Sequence, residues 1–153
     1  MRKTIFAASL IALALGACTP PAAGPSQQAM ALPSCESPAA AVALGGTMNG
    51  QIAAVQSYPE NARYFCFQVP EGTGSVTISL SGLTADLDLF VGSNGIASVQ
   101  GQEIQQGQTY EWMSRNEGTA DDSVTITAPR AGVYYVEIVS YQGEASSYSL
   151  SVN

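Results

Sequence analysis

The chain has 153 residues, 46% hydrophobic and 11% charged, and its 12 acidic and 5 basic residues give a net charge of −7. It contains no histidine, which excludes Ser-His-Asp and Cys-His nucleophile systems and the common catalytic zinc sites. The shortage of lysine and arginine also excludes a nucleic-acid-binding protein, because such proteins neutralise phosphates with these side chains.

The first 17 residues have the pattern of a secretory signal peptide. Arg2 and Lys3 precede an apolar run over residues 4–17 that is too short to span a membrane permanently. The run leads into Leu-Gly-Ala-Cys, ending at Cys18, which resembles the lipobox of bacterial lipoproteins. That resemblance implies that Cys18 is lipidated and becomes the first residue of the mature chain. The alternative is an ordinary cleavage site with an incidental cysteine.

The mature chain is expected to be held at a membrane by its acyl chains. Without Arg2 and Lys3, three basic and twelve acidic residues remain, a net charge of −9 that an anionic lipid surface repels. Thr19 follows the cysteine, and by resemblance to lipoprotein sorting rules the absence of aspartate there implies the outer membrane. We therefore expect a lipoprotein of the cell envelope, on its periplasmic or its surface-facing side.

Residues 18–33 are predicted to form a tether between the membrane and a folded domain. After Cys18, the stretch TPPAAGPSQQAMALP contains four prolines and has neither strand nor helix periodicity, which is typical of a semi-extended linker. Residues 34–153 follow, and these 120 residues are enough for one hydrophobic core and too few for two.

Cys35 and Cys66 form an even pair once Cys18 is assigned to the lipid. In an oxidising compartment such a pair favours a disulfide over two free thiols. A metal pair is disfavoured because no histidine is present. Cys66 lies in an alternating run and is expected to face outward. The residues that alternate with it are expected to face the core: Phe65, Phe67 and Val69.

From residue 47 onward, short runs of alternating apolar and polar residues are separated by turns. The turns PEGTG, GLTA, GSNG and PRAG contain residues that favour a fixed or a positive φ. This spacing predicts an all-β sandwich, and no amphipathic helix of useful length interrupts it. The predicted strands are 47–52, 63–69, 75–81, 86–92, 110–114, 123–128, 133–141 and 148–152. The residues expected to face inward are Val76, Ile78, Leu80, Val124, Ile126, Tyr134, Val136, Ile138, Tyr148, Leu150 and Val152.

Four stretches of this region resemble the bacterial pre-peptidase C-terminal domain: RYFCFQVPEG, SVTISLSG, ADLDLFV and DDSVTITAPRAGVYYVEIVSYQGEASSYSLSV. The resemblance covers roughly residues 47–152 and keeps the order of the motifs in that family. It implies a jelly-roll-like antiparallel β-sandwich of seven or eight strands. Such domains are usually appended to secreted peptidases and are dispensable for their chemistry. Relatives include collagen-binding domains of clostridial collagenases, some of which bind calcium.

Asp86 and Asp88 alternate with Leu87 and Leu89, so both carboxylates lie on one side of a strand. The structural interpretation is that they accept backbone N–H groups of a nearby turn or pair with Arg115. The other interpretation is a calcium site, since carboxylate and amide oxygens are ligands that Ca²⁺ prefers. The lack of EF-hand spacing favours the structural interpretation. The candidate calcium ligands are Asp86, Asp88, Asn116, Glu117, Asp121 and Asp122.

Five aromatic side chains are candidates for a binding surface. Tyr135 and Tyr141 alternate with inward-facing residues, and Phe90 shares the side of the two aspartates, so these three are expected to face outward. The pattern does not determine the side on which Tyr110 and Trp112 lie. Exposed aromatic rings bind sugars or peptides well, but packing beneath neighbouring side chains is the more common arrangement.

Together these features predict a non-catalytic binding module on a membrane-anchored lipoprotein, in contact with an envelope or extracellular polymer, either glycan or protein. The alternative is a structural protein that docks onto another envelope protein, such as a secreted peptidase. An enzyme is not expected, because a carboxylate pair of the glycosidase kind flanks a deep cleft that so small a sandwich has little material to build. Apart from calcium, no cofactor is expected.

Overall fold

A computed structural model describes residues 32–102 and 107–153. These residues form nine β-strands and one short 3-10 helix, Ile96–Ser98. The predicted signal peptide, Cys18 and residues 19–31 of the predicted tether lie outside the described residues. The strands are β1 Ala40–Ala41, β2 Gly46–Ile52, β3 Ala62–Val69, β4 Ser75–Ser81, β5 Asp88–Gly92, β6 Trp112–Ser114, β7 Asp122–Thr127, β8 Gly132–Val139 and β9 Ser146–Val152.

The strands form two sheets. Within the described residues, one sheet has five strands in the order β1-β3-β8-β5-β6, and the other has four in the order β2-β9-β4-β7. The pairing of β1 with β3 is parallel and the other pairings are antiparallel. Each of the eight predicted strands is present, with both ends within two residues of the predicted positions. The predicted all-β sandwich is confirmed, with β1 added, since two alanines carry no alternation that a prediction can use.

The main core fills the space between the two sheets. All the residues predicted to face inward are buried in it, including the three on β3 that alternate with Cys66. This packing also requires Gly50 of β2, because a Cβ atom there would overlap the hydroxyl group of Tyr148. The period-2 alternation of the strands therefore predicts the main core correctly.

A second layer covers the other side of the five-stranded sheet. It comes from the N-terminal segment before β1 and from the chain that follows β5. Glu36 joins these two segments to the sheet: its carboxylate accepts the Ile96 N–H at 3.2 Å, and its own N–H donates to the Tyr135 hydroxyl at 3.3 Å. The buried members of this outer cluster are Ala62, Tyr64, Cys66, Phe90, Ile96, Val99, Tyr135 and Val139.

Phe90 and Tyr135 point away from the main core as predicted, but they are not exposed. Phe90 is 2% exposed and Tyr135 is 4% exposed, because the covering segments bury this side of the sheet. The expectation that both residues contribute to an exposed aromatic surface is therefore wrong. Cys66 also faces the outer cluster, and there it forms the predicted disulfide with Cys35, with the two Cα atoms 5.9 Å apart.

Candidate functional site

An open depression lies at the end of the five-stranded sheet where β5 begins and where β6 and β8 end. Its volume is about 900 Å³, and it is lined by residues from the connections before β5, after β6 and after β8. The fold therefore brings together side chains that are far apart in the sequence. The charged and aromatic residues that line the depression are Asp86, Asp88, Arg115, Glu117, Tyr141 and Glu144.

Arg115 links the two sides of this depression. Its Nε donates to Asp88 Oδ2 at 3.0 Å, and its guanidinium carbon lies 5.7 Å from the centre of the Tyr141 ring, within the range of a cation–π contact. The Asp88 side chain is 5% exposed, whereas that of Arg115 is 46% exposed. The predicted pairing of Asp88 with Arg115 is therefore confirmed.

The ion pair reduces the cost of burying a carboxylate. Burial raises the pKa of the Asp88 carboxyl, and the charge of Arg115 together with its hydrogen bond opposes that shift. Repulsion from the Asp86 and Asp122 carboxylates raises the pKa of Asp88 further. Arg115 thus offsets part of the desolvation and of the repulsion among three neighbouring acids, while the pKa of Asp88 stays raised.

The loop between β6 and β7 is closed by hydrogen bonds of its own side chains. Asp122 Oδ1 accepts the Asn116 N–H at 3.0 Å and also accepts the Ser114 hydroxyl. Asn116 Nδ2 donates to the carbonyl oxygen of Asp121 at 2.8 Å. The role of accepting backbone N–H groups of a turn was predicted for Asp86 and Asp88, and in this loop Asp122 performs it. These bonds hold the backbone that presents Arg115 to the depression.

The six candidate calcium ligands do not converge on one point. Among the described residues, no group of three or more Asp, Glu, Cys or His side chains is arranged to hold a metal ion. Four of the six candidates line the depression, and Asp88 is already paired with Arg115. Asp86 Oδ1 and Asp122 Oδ2 are buried oxygens with no hydrogen-bond partner among the described residues. Calcium binding stays a prediction, and the geometry supports the structural role.

The family model of the bacterial pre-peptidase C-terminal domain matches residues 61–140. This match covers more than half of the 153 residues. The chain belongs to this family. No curated protein matches it.

Two solved structures are similar to this pre-peptidase C-terminal domain. The pre-peptidase C-terminal domain of collagenase from Bacillus anthracis aligns with a TM-score of 0.52 and 16% identity, over 73% of this chain and 91% of the other. PliG of Aeromonas hydrophila, a periplasmic inhibitor of g-type lysozyme, aligns with a TM-score of 0.46 and 13% identity, over 73% and 93%. At 16% identity the likeness to the collagenase domain is one of fold.

Of the five candidate aromatic residues, Tyr141 is the one that this pre-peptidase C-terminal domain leaves exposed, at 56%. Tyr110 packs against Phe90 with the ring centres 5.1 Å apart. Trp112 packs against the main core, with its ring centre 6.0 Å from that of Tyr134. Tyr141 is therefore the one candidate aromatic residue that is exposed at the site. The other four pack against neighbouring side chains, which was the alternative interpretation.

The prediction missed Glu137 of β8, which is fully buried in the domain. Its Oε1 accepts the Tyr64 hydroxyl at 3.0 Å and the Gly101 N–H at 3.4 Å, and Tyr58 extends this network through its hydroxyl contact with Tyr64. Burial raises the pKa of Glu137 to about 7. One signal could have identified it: a single acid at an outward-facing position of the otherwise apolar run VYYVEIV.

Proposed function

We propose that this chain is a non-catalytic binding module that acts outside the cytoplasm and contacts an envelope or extracellular polymer, glycan or protein. The contact site is the depression beside Tyr141. The observation that carries this proposal is an aromatic ring that is 56% exposed and backed by a guanidinium group. Aromatic side chains with little freedom to move provide a large contact area at a low entropy cost.

The side-chain contacts of the Tyr141 ring favour a role in ligand recognition over an exposure without function. Arg115 contacts the ring and is itself hydrogen-bonded to the buried Asp88, so that side chains from β5 and from the connections after β6 and after β8 restrain one another. Acidic residues outnumber the single arginine among the charged residues that line the depression. A ligand that is neutral or basic is therefore favoured over an anionic one.

A non-catalytic role agrees with both the family and the site chemistry. Pre-peptidase C-terminal domains are appended to peptidases, and one solved relative is a domain of a collagenase. In the depression, Asp88 is engaged with Arg115 and so is not a free carboxylate for acid–base chemistry. The collagenase relative also makes collagen one of the polymers to test.

The proposed location is the outer membrane, with Cys18 lipidated and residues 18–33 as the tether. The Cys35–Cys66 disulfide supports an oxidising, extracytoplasmic compartment. Within residues 32–102 and 107–153, no helix is long and apolar enough to cross a membrane. Expression in a lipoprotein-processing bacterium with radiolabelled palmitate tests the anchor: we expect label and membrane partitioning for wild type, and neither for Cys18→Ser.

Co-sedimentation of the full chain with insoluble polymers tests the binding role. The probes are collagen fibrils and peptidoglycan sacculi. We expect one polymer to retain the wild type and Tyr141→Ala to weaken that affinity about tenfold or more. The matched control is Met113→Ala, which also removes a large exposed side chain, 49% exposed, but one that does not line the depression.

Two outcomes contradict the proposed site. One is equal retention of the Tyr141→Ala variant and the wild type, and the other is an equal loss in the Met113→Ala control.

A second candidate function, docking onto another envelope protein, is favoured by β2, which has no strand partner on its second edge among the described residues. Such an edge accepts an added strand, and this candidate predicts a protein complex that Tyr141→Ala leaves intact.

A further inference from the structure

The outer face of the four-stranded sheet consists of uncharged polar side chains. Its strands alternate between the main core and solvent, and every solvent-facing position in these four strands is Ser, Thr, Asn or Gln. We refer to this set as the hydroxyl face. Its members are Thr47, Asn49 and Gln51 on β2; Ser147, Ser149 and Ser151 on β9; Ser75, Thr77, Ser79 and Ser81 on β4; and Ser123, Thr125 and Thr127 on β7.

The strand register arranges these groups as a regular grid. One complete row crosses the sheet, because Ser151 pairs with both Thr47 and Ser79, and Ser79 pairs with Ser123. Neighbouring strands lie about 4.8 Å apart, and same-face residues along a strand lie about 6.7 Å apart. Hydroxyl groups in adjacent strands are already in contact, with Ser79 Oγ 3.4 Å from Ser123 Oγ. The face therefore offers closely spaced donors and acceptors in two directions.

The neutrality of this face contrasts with the rest of the molecule. The chain carries a net charge of −7, and 11% of its residues are charged. At that frequency thirteen positions include about one or two charges on average, yet these thirteen include none. Large apolar and aromatic side chains are absent from the same positions.

This composition identifies the chemistry of a partner. An anionic polymer needs arginine or lysine on the protein, and a basic partner needs acids, and the hydroxyl face has neither. Protein hot spots depend on Trp, Tyr and Arg, whereas Ser and Thr are under-represented in them. A second copy is also disfavoured, because four strands of this length present roughly 400–500 Å², about half of what one partner buries in a standard interface.

We propose that the hydroxyl face binds a neutral polysaccharide that lies along the sheet surface. Serine and threonine hydroxyls each donate one hydrogen bond and accept others, as sugar hydroxyls do, and the amides of Asn49 and Gln51 also do both. Each bond replaces bonds to water and adds little alone. Affinity therefore comes from many bonds to one long ligand, and short oligosaccharides bind weakly. This face is separate from the depression beside Tyr141, so the proposal goes beyond the proposed function.

Affinity electrophoresis of the full chain, in a detergent without a sugar headgroup, tests this inference. The gels contain dextran, hydroxyethyl cellulose or mannan as neutral probes and alginate as the anionic control. We expect at least one neutral polymer to retard the wild type. Charges of either sign at the middle of the face, Ser149→Glu and Ser149→Lys, should each weaken that binding at least tenfold. Ser57→Glu places the same charge at an exposed position outside the face and should bind as wild type does.

Thr125→Glu on the edge strand β7 repeats the test if a Ser149 variant fails to fold. Tyr141→Ala separates the two sites, since it should leave retardation by the neutral polymer unchanged even where it abolishes binding at the depression. Three results overturn the inference: no retardation by any neutral polymer, wild-type retardation of the Ser149 and Thr125 variants, or a concentration-dependent dimer that Ser149→Glu dissociates. The last result would assign the face to a second copy of the chain.

Discussion

Both sides of the five-stranded sheet contain completely buried side chains, but the two sides are built from different chemistry. On the side that faces the other sheet, Phe67, Leu89 and Val136 are completely buried and the main core around them is apolar. On the opposite side of the same strands, Cys66 and Glu137 are also completely buried. There a disulfide and a carboxylate replace aliphatic side chains.

The difference follows from what covers each side. The main core is covered by strands, whose backbone N–H and C=O groups pair within their own sheet. The outer side is covered by irregular chain, whose backbone donors need partners supplied from elsewhere. Glu137 accepts the Gly101 N–H and Glu36 accepts the Ile96 N–H. Irregular cover therefore depends on carboxylate acceptors, one buried (Glu137) and one exposed (Glu36).

Alanine substitutions on the two sides of the sheet should have the largest effect on stability. Phe67→Ala in the main core should lower the free energy of unfolding by about 3–5 kcal/mol. Phe90→Ala in the outer cluster should cost less, about 2–3 kcal/mol, because an irregular segment relaxes into a cavity more easily than two sheets do. Urea unfolding of both variants measures the difference. A cost for Phe90→Ala equal to that for Phe67→Ala would contradict this account of the cover.

Removal of the disulfide should have the next largest effect on the free energy of unfolding. Cys35 and Cys66 are 31 residues apart, and closing a loop of that length in the unfolded chain is worth about 3–4 kcal/mol. We expect the Cys35→Ser, Cys66→Ser double variant to unfold at correspondingly lower urea concentration. Hydrogen exchange should show lost protection around β1 and the outer cluster while β4 and β9 stay protected. Uniform loss of protection would mean that the outer layer is not a separate unit.

Glu137 should make the free energy of unfolding depend on pH. Its pKa in the folded protein is about 7, above the ordinary value of 4.5, so the folded state binds this proton more tightly than the unfolded state. The resulting stabilisation is complete below about pH 4.5 and is lost as the pH rises through about 7. Tyr58 and Tyr64 face Glu137, and because their own pKa values are raised they stay neutral in this range.

Urea unfolding at pH 5, 6, 7 and 8 measures this effect by comparing wild type with Glu137→Gln. The free energy of unfolding of the wild type should fall relative to that of the variant by roughly 2–3 kcal/mol between pH 5 and 8. The variant removes this one titration and keeps the size of the side chain. Parallel pH profiles for the two proteins would show that Glu137 does not titrate in the expected range.

A substitution in the depression should have the smallest effect on the free energy of unfolding. Asp88→Asn should lower the free energy of unfolding by only about 1 kcal/mol, since Arg115 is half exposed and the solvent screens the pair. Thermal unfolding in EDTA and in millimolar Ca²⁺ then tests the calcium prediction on the same variant. A calcium-dependent rise in the wild-type midpoint that Asp88→Asn abolishes would establish a calcium site. Equal midpoints in both solutions would leave Asp88 a purely structural role.

The same contrast separates what the sequence predicts from what it does not. Val76 and Leu150 follow strand alternation, so their burial in the main core is predictable. The pairing of Asp88 with Arg115 was also predictable, because the region offers one arginine beside several acids. The burial of Phe90 was not, since it depends on segments before β1 and after β5 that carry no strand pattern. The Gly101 N–H that Glu137 accepts lies on that irregular chain, which no local pattern places over the sheet.

The position of the disulfide also has a mechanical consequence. Cys66 lies within β3, so a pull on the chain before Cys35 passes through the sulfur bridge directly into a strand of the larger sheet. Strands β1 and β2 lie inside the loop that the bridge closes and carry none of this load. The 31-residue separation corresponds to about 100 Å of extended chain. That length stays locked under tension while the cysteines are oxidised. After reduction the pull reaches β1 and β2, and the length is released only as these two strands leave their sheets, so the redox state decides which strands bear the load first.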